Sequence, residues 1–201
     1  MMTSIDGVNW TRISVAGMGD VCTVACDRDG TFFVAADADG NVTFSTNLTG
    51  WSAPQATGFV TPRIACDGAG NALMHGHSGG TVIYAENYGA TISARAPRAH
   101  QMQMAWDSKF SRWVGIDNVE KKIYYTSDTG MTWTEYHRPD SETAYGPVRN
   151  AGPILDTSVS GRMITPQLGG NAIYFRDEID GVWRFRIDPF PGATLLQIVE
   201  W

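Results

Sequence analysis

The sequence predicts an all-β chain and, within that class, a small β-propeller of four full blades of about 40 residues plus a split, incomplete fifth blade formed by the two termini. Three observations carry this. Beside 7 Trp, 7 Tyr and 8 Phe the 201 residues include 22 Gly and 9 Pro, the balance of short strands joined by tight turns rather than of long helices. A short motif closing on an aromatic or aliphatic residue recurs at a fixed step. Each step holds four strand-sized runs separated by turn residues, which is the content of one blade.

The repeat sets the order of the elements. Ser4-Ile5-Asp6-Gly7-Val8-Asn9-Trp10 returns as Ser45-Thr46-Asn47-Leu48-Thr49-Gly50-Trp51, then as the run from Glu86 to Ile92, then as Thr126-Ser127-Asp128-Thr129-Gly130-Met131-Thr132-Trp133. The closing residues fall at 10, 51, 92 and 133, a step of 41. A fifth copy runs from Arg176 through Asp180 to Trp183. A second marker checks the register: Cys26-Asp27, Cys66-Asp67, Trp106-Asp107 and Leu155-Asp156 are spaced 40, 40 and 49. Both markers place the same insertion between Trp133 and Asp156, where the run from His137 to Pro147 reads as a long surface loop.

The boundaries follow. Residues 1–201 form one domain, with 1–15 and 194–201 as closing fragments and 16–60, 61–101, 102–150 and 151–193 as blades. In the first blade Val21 to Asp27, Thr31 to Ala36 and Val42 to Ser45 are strands, and a last short strand follows Trp51. Asp-Gly at 29–30 and 39–40 supplies hairpin turns, because both residues tolerate positive φ. The second blade repeats the plan, with turns at 66–71 and 77–80. Trp10 to Ala16 offers an outermost strand and Leu195 to Trp201 an innermost one, which together make the split blade without its two middle strands. A five-position ring with one thin blade and a four-blade ring with two spare strands both satisfy this count. Either leaves strand edges that invite another chain, with Trp10 or Trp201 as an apolar anchor.

Composition narrows the partners. A chain 43% hydrophobic and 18% charged buries a core, and a net charge of -6 repels a nucleic-acid backbone. No uninterrupted apolar run reaches the roughly 18 residues of a membrane span, and the N-terminus lacks the order of a signal peptide. The expectation is a protein made in the cytoplasm, without membrane insertion. Cys22, Cys26 and Cys66 read as small buried thiols, with 22 and 26 on one strand face. The Asn-x-Thr sites at Asn9, Asn41 and Asn47 read as turn residues.

The run from Thr126 to Trp133 resembles the Asp-box, the Ser/Thr-x-Asp-x-Gly-x-Thr-Trp hairpin of sialidase-type and related BNR-repeat propellers. The resemblance implies structural work for Asp6, Trp10, Trp51, Asp128, Gly130, Trp133, Asp180 and Trp183: the carboxylate closes its own turn, Gly takes the left-handed position, and Trp packs between strands. It also implies that these turns sit away from the ligand face. That face carries the loops between second and third strands, with Asp37, Asp39, His75, His77, Asp117, Asn118 and Gln167, and the inter-blade loops, with Arg63, Arg98, Tyr145 and Arg149. The candidate ligand-binding residues are therefore Arg63, His75, His77, Arg98, Asp117 and Tyr145.

Catalytic and metal chemistries are poorly served. His75-Gly76-His77 sets two imidazoles on one strand face without a completing ligand nearby, and Asp37-Ala38-Asp39-Gly40-Asn41 lacks the distal Glu and spacing of a calcium loop. Neither a metal nor a cofactor is expected. A sialidase needs convergent arginines, an activated Tyr and an acid. Thr61-Pro62-Arg63-Ile64 is faintly similar to that family's first arginine motif, but Ala65 stands where Pro is expected, and the chain is shorter than six full blades require. The resemblance, with only three Lys and no signal peptide, extends to proteins carried on bacteriophage tails, fibres or capsid surfaces. The expected function is a non-enzymatic structural or adhesion module of such an assembly. A carbohydrate-binding propeller is the first alternative and a sialidase-like glycoside hydrolase the second.

Overall fold

The computed structural model describes residues 1–4, 7–58, 62–76, 80–95, 97–117, 119–120 and 122–135, and the backbone of four later strands. The chain divides into two compact units, Met1–Ala99 and His100–Trp201.

The first unit opens with a two-stranded antiparallel ribbon, β1 (Met2–Thr3) against β2 (Thr11–Arg12). The outermost strand expected over Trp10 to Ala16 is thus only two residues long. After Ile13 the chain bends through a turn in which Met18 N–H donates to Val15 O at 3.2 Å, and Gly17 sits against the Pro54 ring. Two four-stranded antiparallel meanders follow. The first is β3 (Val21–Cys26), β4 (Phe33–Asp37), β5 (Asn41–Ser45) and β6 (Gln55–Ala56). The second is β7 (Arg63–Cys66), β8 (Ala72–His75), β9 (Val82–Glu86) and β10 (Thr91–Arg95).

Alternation decides what these sheets bury. Val34 and Ala36 on β4, Val42 and Phe44 on β5, Ala72 and Met74 on β8, and Ile83 and Ala85 on β9 each stand two apart and so share a face. With Phe32 they form one core between the two sheets. Each Val, Ile, Phe or Met buried there contributes roughly 1.5–3 kcal/mol. Gly89, at φ +84°, is required in this packing because a Cβ would run into the Phe44 ring. The Phe32 ring is stacked on Phe44 at 6.0 Å and meets the edge of Tyr88 at 5.5 Å.

The three thiols depart from expectation. Cys22 and Cys26 are exposed and Cys66 is half-buried. The reason is position: β3 ends its sheet, and its residues alternate between half-buried and exposed, with Cys22, Val24 and Cys26 on the exposed side. Cys66 packs instead against the core.

The second unit repeats the meander in β11 (Met102–Asp107), β12 (Arg112–Asp117), β13 (Lys122–Thr126) and β14 (Thr134–Glu135). Its core includes Met102, Met104, Trp113, Val114, Ile116 and Tyr124. Trp106 and Trp113 pair edge to face at 4.8 Å. The backbone of β15 (Leu155–Thr157), β16 (Arg162–Pro166), β17 (Ala172–Arg176) and β18 (Trp183–Ile187) runs in the same order. Among the described residues no helix is long and apolar enough to cross a membrane.

Candidate functional site

A meander sorts its turns to two ends. The turns after the first and third strands lie at one end of the sheet, and the turn after the second strand lies at the other.

At the first end three carboxylates, those of Asp27, Asp67 and Asp107, are each held by their own turn. Asp27 accepts from Thr31 N–H at 2.7 Å, Phe32 N–H at 3.0 Å and the Thr31 hydroxyl at 2.6 Å. Asp67 accepts from the backbone of Ala69 and Asn71 at 2.8 and 2.9 Å and from the Asn71 side chain at 2.8 Å. Asp107 pairs with Arg112 at 3.2 Å. These are the three Asp residues spaced 40 apart in sequence, and all are buried.

The Asp-box turns stand beside them. Asp128 accepts from Thr132 N–H at 2.9 Å and from the hydroxyls of Thr126 and Thr132, both at 2.6 Å. Burial works against its ionisation, but the bonds from Thr126 and Thr132 outweigh that and lower its pKa from 3.8 to about 2. Asn47 does the same work with one oxygen, taking Thr49 N–H at 3.0 Å, the Thr49 hydroxyl at 3.1 Å and Gly50 N–H at 2.8 Å. Trp51 lies opposite Ser45, and its indole N–H reaches Leu48 O at 3.1 Å. The pairing of Tyr125 with Thr134 puts Trp133 opposite Thr126 in the same way. Gly130 has φ +88°. In the second sheet Ile92 faces Ala85. Cys66, Ala72, Ala85 and Ile92 stand in one row across that sheet, as Cys26, Phe33, Ser45 and Trp51 do across the first, so Ile92 holds the place equivalent to Trp51. Trp10 lies just before β2 and is 57% exposed. Asp6 and Asp180 lie outside the described residues, and Trp183 is described by its backbone alone.

The opposite end gathers the ligand-face candidates. Asp37, His75 and Asp117 each close the second strand of a sheet and each is fully buried. In the second sheet Arg63, the exposed first residue of β7, is the direct cross-strand partner of His75. Arg98 comes to the same end: its N–H donates to Gly80 O at 2.7 Å, and its Nε is out of solvent. Gly80 has φ +64°, and a Cβ there would collide with the Arg98 carbonyl, so the inter-blade segment is held tight on the β8–β9 turn. Three of the six candidates therefore meet at one sheet end. Of the three, Arg63 is exposed, whereas His75 is fully buried and Arg98 Nε is out of solvent; an exposed guanidinium fork suits carboxylate or phosphate oxygens.

Asp117 belongs to the second unit. One of its oxygens accepts from the N–H groups of Val119 and Glu120, both at 2.8 Å. The Tyr124 hydroxyl donates to Glu120 in the same turn. His77, Asn118, Tyr145, Arg149 and Gln167, with the loop from His137 to Pro147 and Leu195 to Trp201, lie outside the described residues. Among the described residues no group of three or more His, Cys, Asp or Glu is placed to hold a metal ion.

The first sheet differs at this end. Asp37 takes Gly19 N–H at 2.9 Å, Asp39 N–H at 3.0 Å, and the backbone and side chain of Asn41, both at 2.8 Å. Burial opposes its ionisation, and these bonds, the Asn41 amide foremost, hold its pKa below the usual range. Beside it lies a cavity of about 480 Å³ whose lining includes Arg12, Ser14, Val15, Met18, Asp20 and Asp39. Of these, sequence reading singled out Asp39 alone. The segment from Arg12 to Asp20 has no apolar periodicity, and its only signal is the breaker run Gly17-Met18-Gly19.

No protein-family model matches this sequence, and no curated protein matches it significantly. Solved structures do match in shape. A catalytically inactive virginiamycin B lyase from Staphylococcus aureus, with quinupristin, aligns at TM-score 0.69 and 14% identity over 92% of this chain and 62% of that one. The nidogen/laminin complex aligns at 0.66 and 14% over 92% of this chain and 70% of that one. YCF48 bound to D1 peptide aligns at 0.60 and 14% over 89% of this chain and 56% of that one. The chain thus spans less than two thirds of the lyase and of YCF48. At such identities the likeness concerns shape alone, and with the repeated four-stranded meanders it identifies the fold as a β-propeller.

Proposed function

We propose that this chain is a non-catalytic β-propeller module that binds other molecules within a larger assembly, of the structural or adhesion kind found on virion tails, fibres or capsid surfaces. The observation that carries the reading is how the described polar groups are used. Asp27, Asp67 and Asp128 close turns at one end and Asp37 closes one at the other, each committed to three or more bonds inside its own hairpin or its near neighbours. A general acid or base must meet substrate with its carboxyl. What faces outward instead includes the exposed Arg63, a guanidinium suited to recognition of carboxylate or phosphate oxygens.

The N-terminal ribbon adds a surface for another chain. Met2, Val8 and Trp10 are 58%, 78% and 57% exposed, an apolar set unusual for so short an element. Two of the similar folds were solved with another chain, nidogen with laminin and YCF48 with the D1 peptide, which supports a scaffold use of this shape.

The test uses an antibody to the purified chain on density-banded particles from its source, beside an assay on fluorogenic neutral glycosides and a sialoside. The expected result is antigen in the particle band and no turnover. Antigen confined to soluble fractions, with turnover that Arg63→Ala removes, would overturn the reading in favour of a glycoside hydrolase.

A further inference from the structure

The cavity beside the first sheet has the properties of a built site. Its wall is fixed from both sides: Gly19 N–H is held by Asp37 at 2.9 Å, and Ala38 N–H donates to Asp20 O at 3.1 Å. The segment that carries Ser14, Val15, Met18 and Asp20 is therefore tied to the turn that carries Asp39. The space exists before any ligand enters.

Size and chemistry select the occupant. About 480 Å³ lies within the range of about 300–1,000 Å³ typical of small-molecule sites and is far larger than a bare ion fills. Its lining carries both signs of charge, with Asp20 and Asp39 against Arg12. A cation gains from the carboxylates and loses against the guanidinium, and an anion does the reverse. A neutral ligand rich in hydroxyls suffers neither loss. Each hydroxyl can donate to a carboxylate and accept from Arg12 or Ser14. Val15 and Met18 offer an apolar wall for the C–H face that a pyranose ring also presents.

We propose that this cavity binds a neutral saccharide unit, with Asp20 and Asp39 accepting from its hydroxyls, Arg12 and Ser14 donating to it, and Met18 and Val15 against its ring. This deepens the reading of the chain as a binding module and rests on it.

The experiment is saturation-transfer NMR on the full chain with the methyl glycosides of mannose, galactose, glucose and N-acetylglucosamine, and with glucosamine and methyl glucuronide as charged comparators. At least one neutral glycoside should give saturable transfer, weakened tenfold or more in Asp20→Ala/Asp39→Ala with an unchanged melting curve. The pair Asp20→Asn/Asp39→Asn, which keeps an acceptor oxygen at each position, should retain more affinity than the alanine pair and guards against misfolding of the latter. Absence of transfer from every neutral glycoside, or equal affinity in the wild type and both variants, overturns the proposal. Stronger binding of glucosamine or of the glucuronide than of the neutral sugars overturns it too. Particle association of the alanine pair separates the two readings: a variant that still bands with particles while the wild type binds no glycoside leaves the module standing and removes its saccharide site.

Discussion

Replacing Asp128 by Ala tests how the repeat is held together. The shift of its pKa from 3.8 to about 2 corresponds at face value to about 2.4 kcal/mol. Asp128 is solvent-exposed, and screening reduces that to about 1 kcal/mol. Thr126 is 2% exposed, so its hydroxyl loses an acceptor where water cannot readily replace it, which adds about 1 kcal/mol. The expected loss is about 2 kcal/mol at pH 7. Asp128→Asn should lose about half as much, because Asn47 shows that one amide oxygen can close such a turn. The folded pKa is depressed, so the carboxylate's contribution is complete above the unfolded value of 3.8 and disappears as pH falls through about 2. The gap between wild type and Asp128→Asn should therefore close between those values, and the gap to Asp128→Ala should narrow by about 1 kcal/mol, leaving the part due to the Thr126 hydroxyl. Urea unfolding followed by Trp fluorescence at pH 7, with thermal melts from pH 5 down to 2, measures all three quantities. A loss below about 0.3 kcal/mol, equal losses for Ala and Asn, or a gap that does not change with pH would refute the reasoning.

Gly89→Ala should cost about 2 kcal/mol or more, since it combines a left-handed backbone with a clash on Phe44, and circular-dichroism melts would register it. Gly80→Ala should cost at least as much by pushing Arg98 off the β8–β9 turn, and should raise hydrogen exchange at Arg98 N–H, now held at 2.7 Å by Gly80 O. A thiol-specific reagent at pH 8 should label exposed Cys22 first and Cys66 last. Burial, with Cys26 and the Asp27 and Asp67 carboxylates nearby, pushes the Cys66 thiol well above its usual pKa, and mass spectrometry of timed aliquots gives the order.

Much of the fold could be read from residues whose work is local. Asp27, Asp67 and Asp107 mark the repeat because each closes a turn a few residues long, so the chemistry leaves a signature at a fixed spacing. Asn47 and Asp128 are legible for the same reason. Ile92 is legible from the step of 41 alone, because the strand pairing that sets it opposite Ala85 is kept although its turn has lost the box residues. The exposure of Cys22 and Cys26 depends on what lies against β3, and strand alternation shows only that they share a face. At the site, Arg63 and His75 could be placed at one sheet end from topology alone. The cavity could not, because its wall depends on Gly19 reaching Asp37 across 18 residues through a segment without periodicity.

The self-closing turns also bear on how such a chain can change in length. Asp27 and Asp67 satisfy their bonds within four or five residues of themselves, and Asn47 and Asp128 do so within their own boxes. Duplicating or deleting a unit of about 40 residues therefore severs none of these bonds and leaves no buried carboxylate stranded. The remaining cost falls on apolar seams such as the one where Phe44 meets Gly89. Copy number is then a variable that recombination can sample cheaply, provided each new seam pairs a bulky ring with a residue that has none.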